Sequence, residues 1–432
     1  MPTTRRQFVQ GAGALAAAPH ALAANDRIQV AVIGCGARSH ELMQHLMTAG
    51  GAEITALVDA YDGRVERAQD RVGKQARRLP DYRAALADKS IDAVMVVTPD
   101  HWHKTMVLDA IAAGKDVYCE KPLTFRSSEG VEIVRAAKAA GRIVQVGSQV
   151  CSSALQKEAK RMIQSGKLGK VTVIRAAYSR NTASGAWIYP IPPDASPRTV
   201  NWDLFQGNAK KHPFSLERFF RWRCYSEYSG GIATDLFVHL CTTIHFLMDA
   251  KVPSKVMAMG QLYRWKESRD VPDTLNAVLE YPEGFVVNLS STFNNQSSGQ
   301  GTFQILGTEG SLDLAGDLTF SPEQAYEDNR WIIDSWPRRL ADAYLKNPKV
   351  RETEMPGTQP QRVIGGAERM RQIGVDMTVP HLAAWVESIR TRKPHWEDAQ
   401  VGHRSAACAH MVNQSVREGR MVRWDFDKDD IA

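Results

Sequence analysis

Asp235 and His239 stand four residues apart in the run Ser229-Gly230-Gly231-Ile232-Ala233-Thr234-Asp235-Leu236-Phe237-Val238-His239. On a helix that spacing puts a carboxylate and an imidazole on one face. The pair suits a relay in which Asp235 bonds a substrate or the ring and His239 takes a proton, and an imidazole base would give the rate an ionisation near neutral pH. Lys121 is a third reactive group, in Glu120-Lys121-Pro122-Leu123, directly after a strand pattern over residues 116–119. Burial and positive neighbours would lower its pKa towards the working range, and as a cation it would steady a developing alkoxide. A base for a hydroxyl proton and a cation for the oxygen left behind are what removal of hydride from a secondary alcohol needs. A hydride acceptor and a frame to hold it are still missing from that set.

Residues 27–59 supply both. Residues 28–33 are a short apolar run rich in β-branched side chains, as in a parallel strand buried on both faces. Gly34 and Gly36 follow at once, and a helical pattern begins at about Ser39. Gly34 permits a sharp turn, and Gly36 leaves room for the backbone to approach a pyrophosphate. The helix opening, with Ala37 and Arg38, offers unpaired N–H groups and a positive dipole end to the phosphates. Ser39 stands where a third glycine is usual, a mild change because a small residue still fits a close helix–strand contact. Asp59 ends the second strand about twenty residues beyond the glycines, where a carboxylate accepts bonds from a ribose diol. It would repel a 2′-phosphate, so NAD is the expected cofactor rather than NADP, with Arg64 the one residue that could offset the repulsion.

The pattern continues as strand–helix alternation. Residues 64–75 read as an exposed helix and 91–97 as a buried strand ending in Thr98-Pro99-Asp100-His101-Trp102-His103. A helix over 105–113, a strand over 116–119, a helix over 131–140 and a strand over 143–147 follow. Residues 27–148 therefore form a doubly wound, Rossmann-type parallel sheet, and strand ends such as Thr98 and Glu120 are where its ligands gather. Thr98-Pro99-x-His-x-His103, Ala113-Gly114-Lys115, Glu120-Lys121-Pro122 and the Gly-Gly…Asp-x-x-x-His element together resemble the glucose–fructose oxidoreductase/inositol dehydrogenase (Gfo/Idh/MocA) family, over essentially all of the mature chain. The resemblance implies Lys121, Asp235 and His239 as the catalytic set, with His239 the base. The cofactor would lie against Gly34, Gly36, Ala37, Arg38, Asp59, Thr98, Pro99, His103, Glu120, Lys121 and Gln149. Thr242, Phe237 and the run Gly147-Ser148-Gln149 depart from the residues common in sugar-oxidising members, so polyol or inositol specificity does not transfer. His245, six residues after His239, falls near the opposite helix face, and no metal site is expected.

Residues 149–432 have another grammar, that of an α+β substrate and oligomerisation domain. A helix over 155–165 and a strand over 171–178 lead into a Pro-rich loop, 182–201, with Trp187 and Tyr189. Trp202-Asp203-Leu204-Phe205 and the run from Phe219 to Tyr225 concentrate aromatic and arginine side chains. These either wall a sugar site, since aromatic faces stack on sugar C–H faces, or form a satellite core beneath the loop. Strands are expected over 254–265, 274–281, 285–293, 301–306 and 311–314, with tight turns at Pro282-Glu283-Gly284 and Thr308-Glu309-Gly310. They make an open, largely antiparallel sheet, one face over helices and the other free to pair with a second subunit. Residues 320–376 are charged and weakly patterned, and helices are expected over 380–391 and 399–417.

Arg5-Arg6 followed by Phe8, a weakly apolar Gly/Ala stretch and Ala21-Leu22-Ala23 read as a twin-arginine export signal over residues 1–25. The stretch is too short for a membrane anchor. Export in folded form to the periplasm suits an enzyme that takes up and holds its dinucleotide beforehand. The six cysteines lack metal spacing and no structural disulfide is expected. The excess of basic residues, 54 against 48 acidic, is spread along the chain, so nucleic acid is not an expected partner. Three functions remain: an NAD-dependent oxidoreductase acting on a sugar or sugar derivative, a glycoside hydrolase using transient oxidation and elimination, and a non-catalytic protein keeping NAD as a scaffold. The intact Lys121, Asp235 and His239 speak against the last.

Overall fold

The computed structural model describes residues 27–296, 301–323, 330–353, 368–371 and 377–432. Strands β1 (Ile28–Ile33), β2 (Ala52–Val58), β3 (Arg77–Arg78), β4 (Ala93–Val96), β5 (Asp116–Glu120) and β6 (Val144–Gly147) form an all-parallel sheet in the order β3-β2-β1-β4-β5-β6. Every residue of β4 and β5 is buried, the signature of strands covered on both faces. On one face lie α1 (Ala37–Ala49) and α2 (Asp62–Val72), anchored by Leu42, Met43, Leu46 and Val65. On the other lie α3 (Tyr82–Ala87), α4 (Asp100–Ala112) and α5 (Glu129–Ala140), anchored by Tyr82, Met106, Val107 and Ile133. The order reverses between β1 and β4, and this is the point where such sheets bind ligands.

α4 starts at Asp100, five residues before the expected start at 105. Its first turn holds His101, Trp102 and His103, which show no apolar period because they serve separate neighbours: Trp102 Nε1 donates to the Phe205 carbonyl at 2.8 Å, while His103 turns to Pro122. Pro99, at φ −59°, leads into the helix, and Asp100 complements the dipole in its first turn.

The second sheet has ten strands: β7 (Val171–Ser179), β8 (Lys255–Gln261), β9 (Thr274–Tyr281), β10 (Phe285–Thr292), β11 (Thr302–Gly307), β12 (Gly310–Asp313), β13 (Leu318–Pro322), β14 (Glu368–Met370), β15 (Val422–Asp425) and β16 (Asp430–Ile431). Their order is β14-β13-β12-β11-β7-β10-β9-β8-β15-β16, and β7–β10 is the parallel pair in an otherwise antiparallel set. Burial alternates strictly along β9, with Leu275, Ala277, Leu279 and Tyr281 inward. That inner face packs on α6 (Ala154–Gln164), α7 (Val238–Met248) and, further along, the long helix Ala399–Glu418. Where residues 254–265 were expected to run on as strand, β8 stops at Gln261. Asp273 instead gathers the N–H groups of Tyr263, Arg264 and Trp265 into a turn. Within the weakly patterned stretch 320–376, β13 and β14 extend the sheet and short helices run over Arg330–Ile333, Arg338–Leu345 and Pro348–Thr353. These elements are too short to show a period.

The chain then returns to the first sheet. Helix α8 (Thr378–Thr391) inserts Leu382, Trp385, Val386 and Ile389 into the core beneath α1. The Gln145 amide donates to the His381 carbonyl at 2.8 Å, and Val146 N–H to the Glu397 carbonyl at 2.9 Å. Helix α9 (Ala399–Glu418), capped by Asp398 on the N–H groups of Gln400 and Val401, spans both regions. All six cysteines are buried and free. The expected export signal lies outside the described residues. Among the described residues no helix is long and apolar enough to cross a membrane.

Candidate active site

A cleft of about 690 Å³ opens at the C-terminal ends of β1, β4 and β5 and is closed by the loops after β7 and before α7. Its nucleotide end is built by the glycine turn. Gly34 has φ 92°, and a Cβ there would lie 2.4 Å from the Val97 carbonyl oxygen, so no other residue fits. A Cβ on Gly36 would meet nothing nearer than Arg64 Cζ at 3.9 Å, which leaves that flank open to a ligand. Gly36 caps α1 without a side-chain bond, so the first N–H groups of the helix remain available to an anion. Asp59 accepts Cys35 N–H at 2.7 Å and Tyr61 N–H at 2.9 Å. It therefore braces the turn, and each of its oxygens keeps a lone pair for a ribose. Arg64 sits 3.8 Å from Asp59 and lies over Phe219 and Phe220 at 5.0 and 5.1 Å. The residues present fit a dinucleotide.

Ala37, Thr98, Pro99, Arg38, Glu120 and Gln149 line the same cleft. Arg38 Nε donates to Glu120 Oε1 at 3.1 Å, and Gln149 Nε2 reaches the same oxygen at 3.2 Å and the Tyr118 hydroxyl at 2.8 Å. His103 is placed elsewhere. It is buried outside the cleft lining, with its nitrogens against the carbonyls of Pro122 at 2.6 Å and Thr98 at 2.9 Å. The neutral ring donates to one of these two carbonyls and packs between the two strand ends, and its expected contact with the cofactor is corrected to that structural role.

Lys121, Asp235 and His239 meet at the other end of the cleft. Asp235 lies in a π-helical turn, Ala233–Phe237, that runs into α7, rather than on the expected α-helix. The wider turn still carries both side chains to one side, and such turns concentrate at functional sites. Lys121 Nζ donates to Asp235 Oδ1 at 3.0 Å and to its carbonyl at 2.8 Å, and Arg223 Nε donates to the same Oδ1 at 3.0 Å. Burial pushes the Asp235 carboxyl up, but Lys121 and Arg223 outweigh it and hold the group well below the usual carboxylate range. Burial, and then the charge of Lys121, lowers the His239 imidazole to about 3, and its buried Nδ1 has no partner among the described residues. The ring is thus neutral through the working range, and the expected ionisation near neutral pH does not belong to it. His245 points away, to the Tyr281 hydroxyl at 3.0 Å.

Sequence reasoning missed Asp100 and Arg180, which line this end. Both sit at strand ends, after β4 and β7, a position that could have flagged them. Asp100 is buried, which raises its pKa, and accepts the Thr234 hydroxyl at 3.3 Å. The aromatic run divides between the two expected roles. Phe205, Phe219, Phe220 and Trp222 line the cleft, while Trp202 stacks on Phe205 at 5.2 Å and belongs to the satellite core. Trp187 and Tyr189 add to the wall. Trp187 has φ 67°, unusual for a bulky residue, and is held there by Phe293 at 4.9 Å and by the Arg269 guanidinium at 5.2 Å over its ring.

Comparison with known proteins places this geometry. Residues 28–148 match a family model described as "Oxidoreductase family, NAD-binding Rossmann fold", and residues 196–313 match the "GFO/IDH/MocA C-terminal domain". Together they cover more than half of the chain. The chain belongs to the Gfo/Idh/MocA family. Among relatives, an inositol 2-dehydrogenase of Acidothermus cellulolyticus is 26% identical over 74% of this chain and 83% of its own length. One of Burkholderia multivorans is 36% identical, over 37% of this chain and 47% of its own. A levoglucosan dehydrogenase solved with NADH and levoglucosan shares the fold at a TM-score of 0.65 and 18% identity, covering 92% of this chain and 99% of that one. As a Gfo/Idh/MocA protein the chain is an NAD-binding oxidoreductase, and Gly34, Gly36, Ala37, Arg38 and Asp59 are the residues that would hold the dinucleotide in this cleft.

Proposed function

We propose that the protein oxidises a secondary hydroxyl group of a sugar or sugar derivative, and can reduce the corresponding carbonyl. One observation carries the reading: Lys121, Asp235 and His239 converge at one end of a cleft whose other end is the glycine turn. Bound NAD supplies the ring that accepts or returns hydride. The protein's own groups do the rest. His239 takes the hydroxyl proton, and its low pKa means that it does not first have to lose one. The Lys121 ammonium stands where negative charge builds on the substrate oxygen. Asp235, ionised between two cations, aims that ammonium and favours the imidazolium that forms. Tyr189 and Trp222, partly exposed in the cleft, offer faces for the C–H side of a sugar ring.

Related expectations belong to the same proposal. The Arg5-Arg6 run supports export to the periplasm in folded form, with NAD taken up and held first. Met259 and Val278, exposed on the outer face of the large sheet, support a homo-oligomer formed through that face. The function is tested by mixing purified protein with sugars and glycosides without added NAD, following nicotinamide absorbance and product together. Net reduction of the cofactor supports the oxidoreductase. Aglycone release without net redox change identifies the hydrolytic alternative, and neither outcome leaves the scaffold.

A further inference from the structure

The charges at the reactive end of the cleft do not balance. Five carboxylates line the whole cleft. Glu41 and Glu120 are both bound by Arg38, and Asp59 braces the glycine turn beside Arg64. Asp235 is shared by Lys121 and Arg223, and Asp100 is buried against Thr234. Arg180 also lines the cleft, at the end of β7, and has no carboxylate within 4.0 Å among the described residues. One of its nitrogens, Nη1, donates to the Gly185 carbonyl at 3.2 Å, and its guanidinium lies 5.9 Å from the Phe293 ring. It stands directly after β7, bonded into the same loop that brings Trp187 and Tyr189 to the cleft wall. The loop that follows it carries Trp187 and Tyr189 into the same wall, with Trp187 locked by Phe293 and Arg269. A guanidinium with a free edge, aimed into a cleft of aromatic side chains, is a ready-made fork for a carboxylate.

We infer that the substrate is a sugar acid, a uronate or aldonate, whose carboxylate is held by Arg180 while a ring or chain hydroxyl lies between Lys121 and His239. The placing of the hydroxyl rests on the oxidoreductase reading, and that of the carboxylate on Arg180 alone. The unclaimed edge of the Arg180 guanidinium matches the two oxygens of a carboxylate, and the phosphate probe below tests the other anion. The carboxylate also offsets the surplus positive charge of Lys121, Arg180 and Arg223 over Asp235, and it fixes which hydroxyl faces the base.

The experiment uses the NAD-loaded protein and matched probes: D-glucuronate with D-glucose, D-galacturonate with D-galactose, D-gluconate with D-glucitol, and D-glucose 6-phosphate. Binding is measured by calorimetry and turnover by nicotinamide absorbance. At least one acid should bind roughly tenfold or more tightly than its neutral parent. Arg180→Gln should lower the acid-to-neutral ratio, in affinity and in kcat/KM, by roughly 10- to 100-fold, the worth of a charge-assisted bond. Arg180→Lys should restore part of it. Neutral parents bound as well as acids, preference for the phosphate, no binding of any acid, or an Arg180→Gln variant that weakens both classes equally would each overturn the inference. Cofactor reduction by a neutral sugar but no acid overturns it while leaving the oxidoreductase reading intact. Arg180-dependent acid binding without any cofactor reduction supports the acid site and sinks the redox reading instead.

Discussion

Asp235→Asn tests how the reactive end is held together. One oxygen, Oδ1, takes both Lys121 Nζ and Arg223 Nε at 3.0 Å. An asparagine offers one uncharged carbonyl oxygen and an amide that only donates, so two cations are left with one neutral acceptor. Hydrogen bonds to charged groups contribute about 1.5–3 kcal/mol and neutral ones about 0.5–1.5 kcal/mol. Removing one partner of a fully buried ion pair costs about 3–5 kcal/mol. Lys121 and Arg223 keep 10% and 24% of their side-chain exposure, so water recovers part of the loss. A destabilisation of about 2–3 kcal/mol follows. Adding Lys121→Met to Asp235→Asn removes one stranded cation, so the double variant should be about 1 kcal/mol more stable than the single one. Urea unfolding followed by tryptophan fluorescence at neutral pH measures both. The sign with pH is set by the depressed carboxyl: the wild-type advantage is complete above about pH 4 and is lost as pH falls further. Wild-type stability in Asp235→Asn, or simple additivity in the double variant, would refute the argument.

His239→Ala should lose roughly 100- to 10,000-fold in single-turnover rate, and wild-type kcat/KM should show no imidazole limb between about pH 5 and 8; a limb near 6.5 that the variant abolishes would contradict the neutral ring. Asp59→Ala should weaken NAD binding and relax discrimination against NADP, because the ribose acceptor and the brace on Cys35 N–H disappear together; equal affinity of the unmutated protein for both dinucleotides would count against this. Burial lowers His101 to about 4, His381 to about 3 and His410 to about 4, whereas the unfolded chain protonates them near 6.5. Stability is therefore full above about pH 6.5 and declines as pH drops towards 4, and His381→Gln should flatten that slope in acid unfolding curves. Arg5→Lys with Arg6→Lys should leave the precursor in the cytoplasm, and normal processing of the double variant in cell fractions would remove the twin-arginine reading.

The legible parts of the molecule are those whose signals are local. The strand, two glycines, helix and Asp59 lie within one short stretch, and each is required by backbone geometry at its own position. The β9–β10 hairpin declares itself by alternation and by the turn at Glu283-Gly284. The parallel β7–β10 pairing and the return of α8 to the first sheet are long-range, and no spacing in the chain encodes them. The π turn leaves no mark either, since its residues would serve equally in an α-helix. Arg180 and Asp100 are single residues whose meaning comes from what tertiary packing leaves unpaired around them. His103 misled for the opposite reason: its motif pointed to the cleft, while its ring nitrogens face two backbone carbonyls.

The packing of α8 against α1 bears on how the chain is made. Leu42, Met43 and Leu46 share a core with Leu382, Trp385 and Ile389, so the first helix of the nucleotide half waits for the last quarter of the message before its apolar side is covered. A nascent chain halted before residue 389 would display that side as a sticky surface, and contacts this distant in sequence make the final closure slow. Truncation from the C-terminal side should therefore damage dinucleotide affinity as well as the large sheet. The last-translated helices act as a seal on the first-translated fold, and the holoenzyme is a product of the released polypeptide rather than of its leading half.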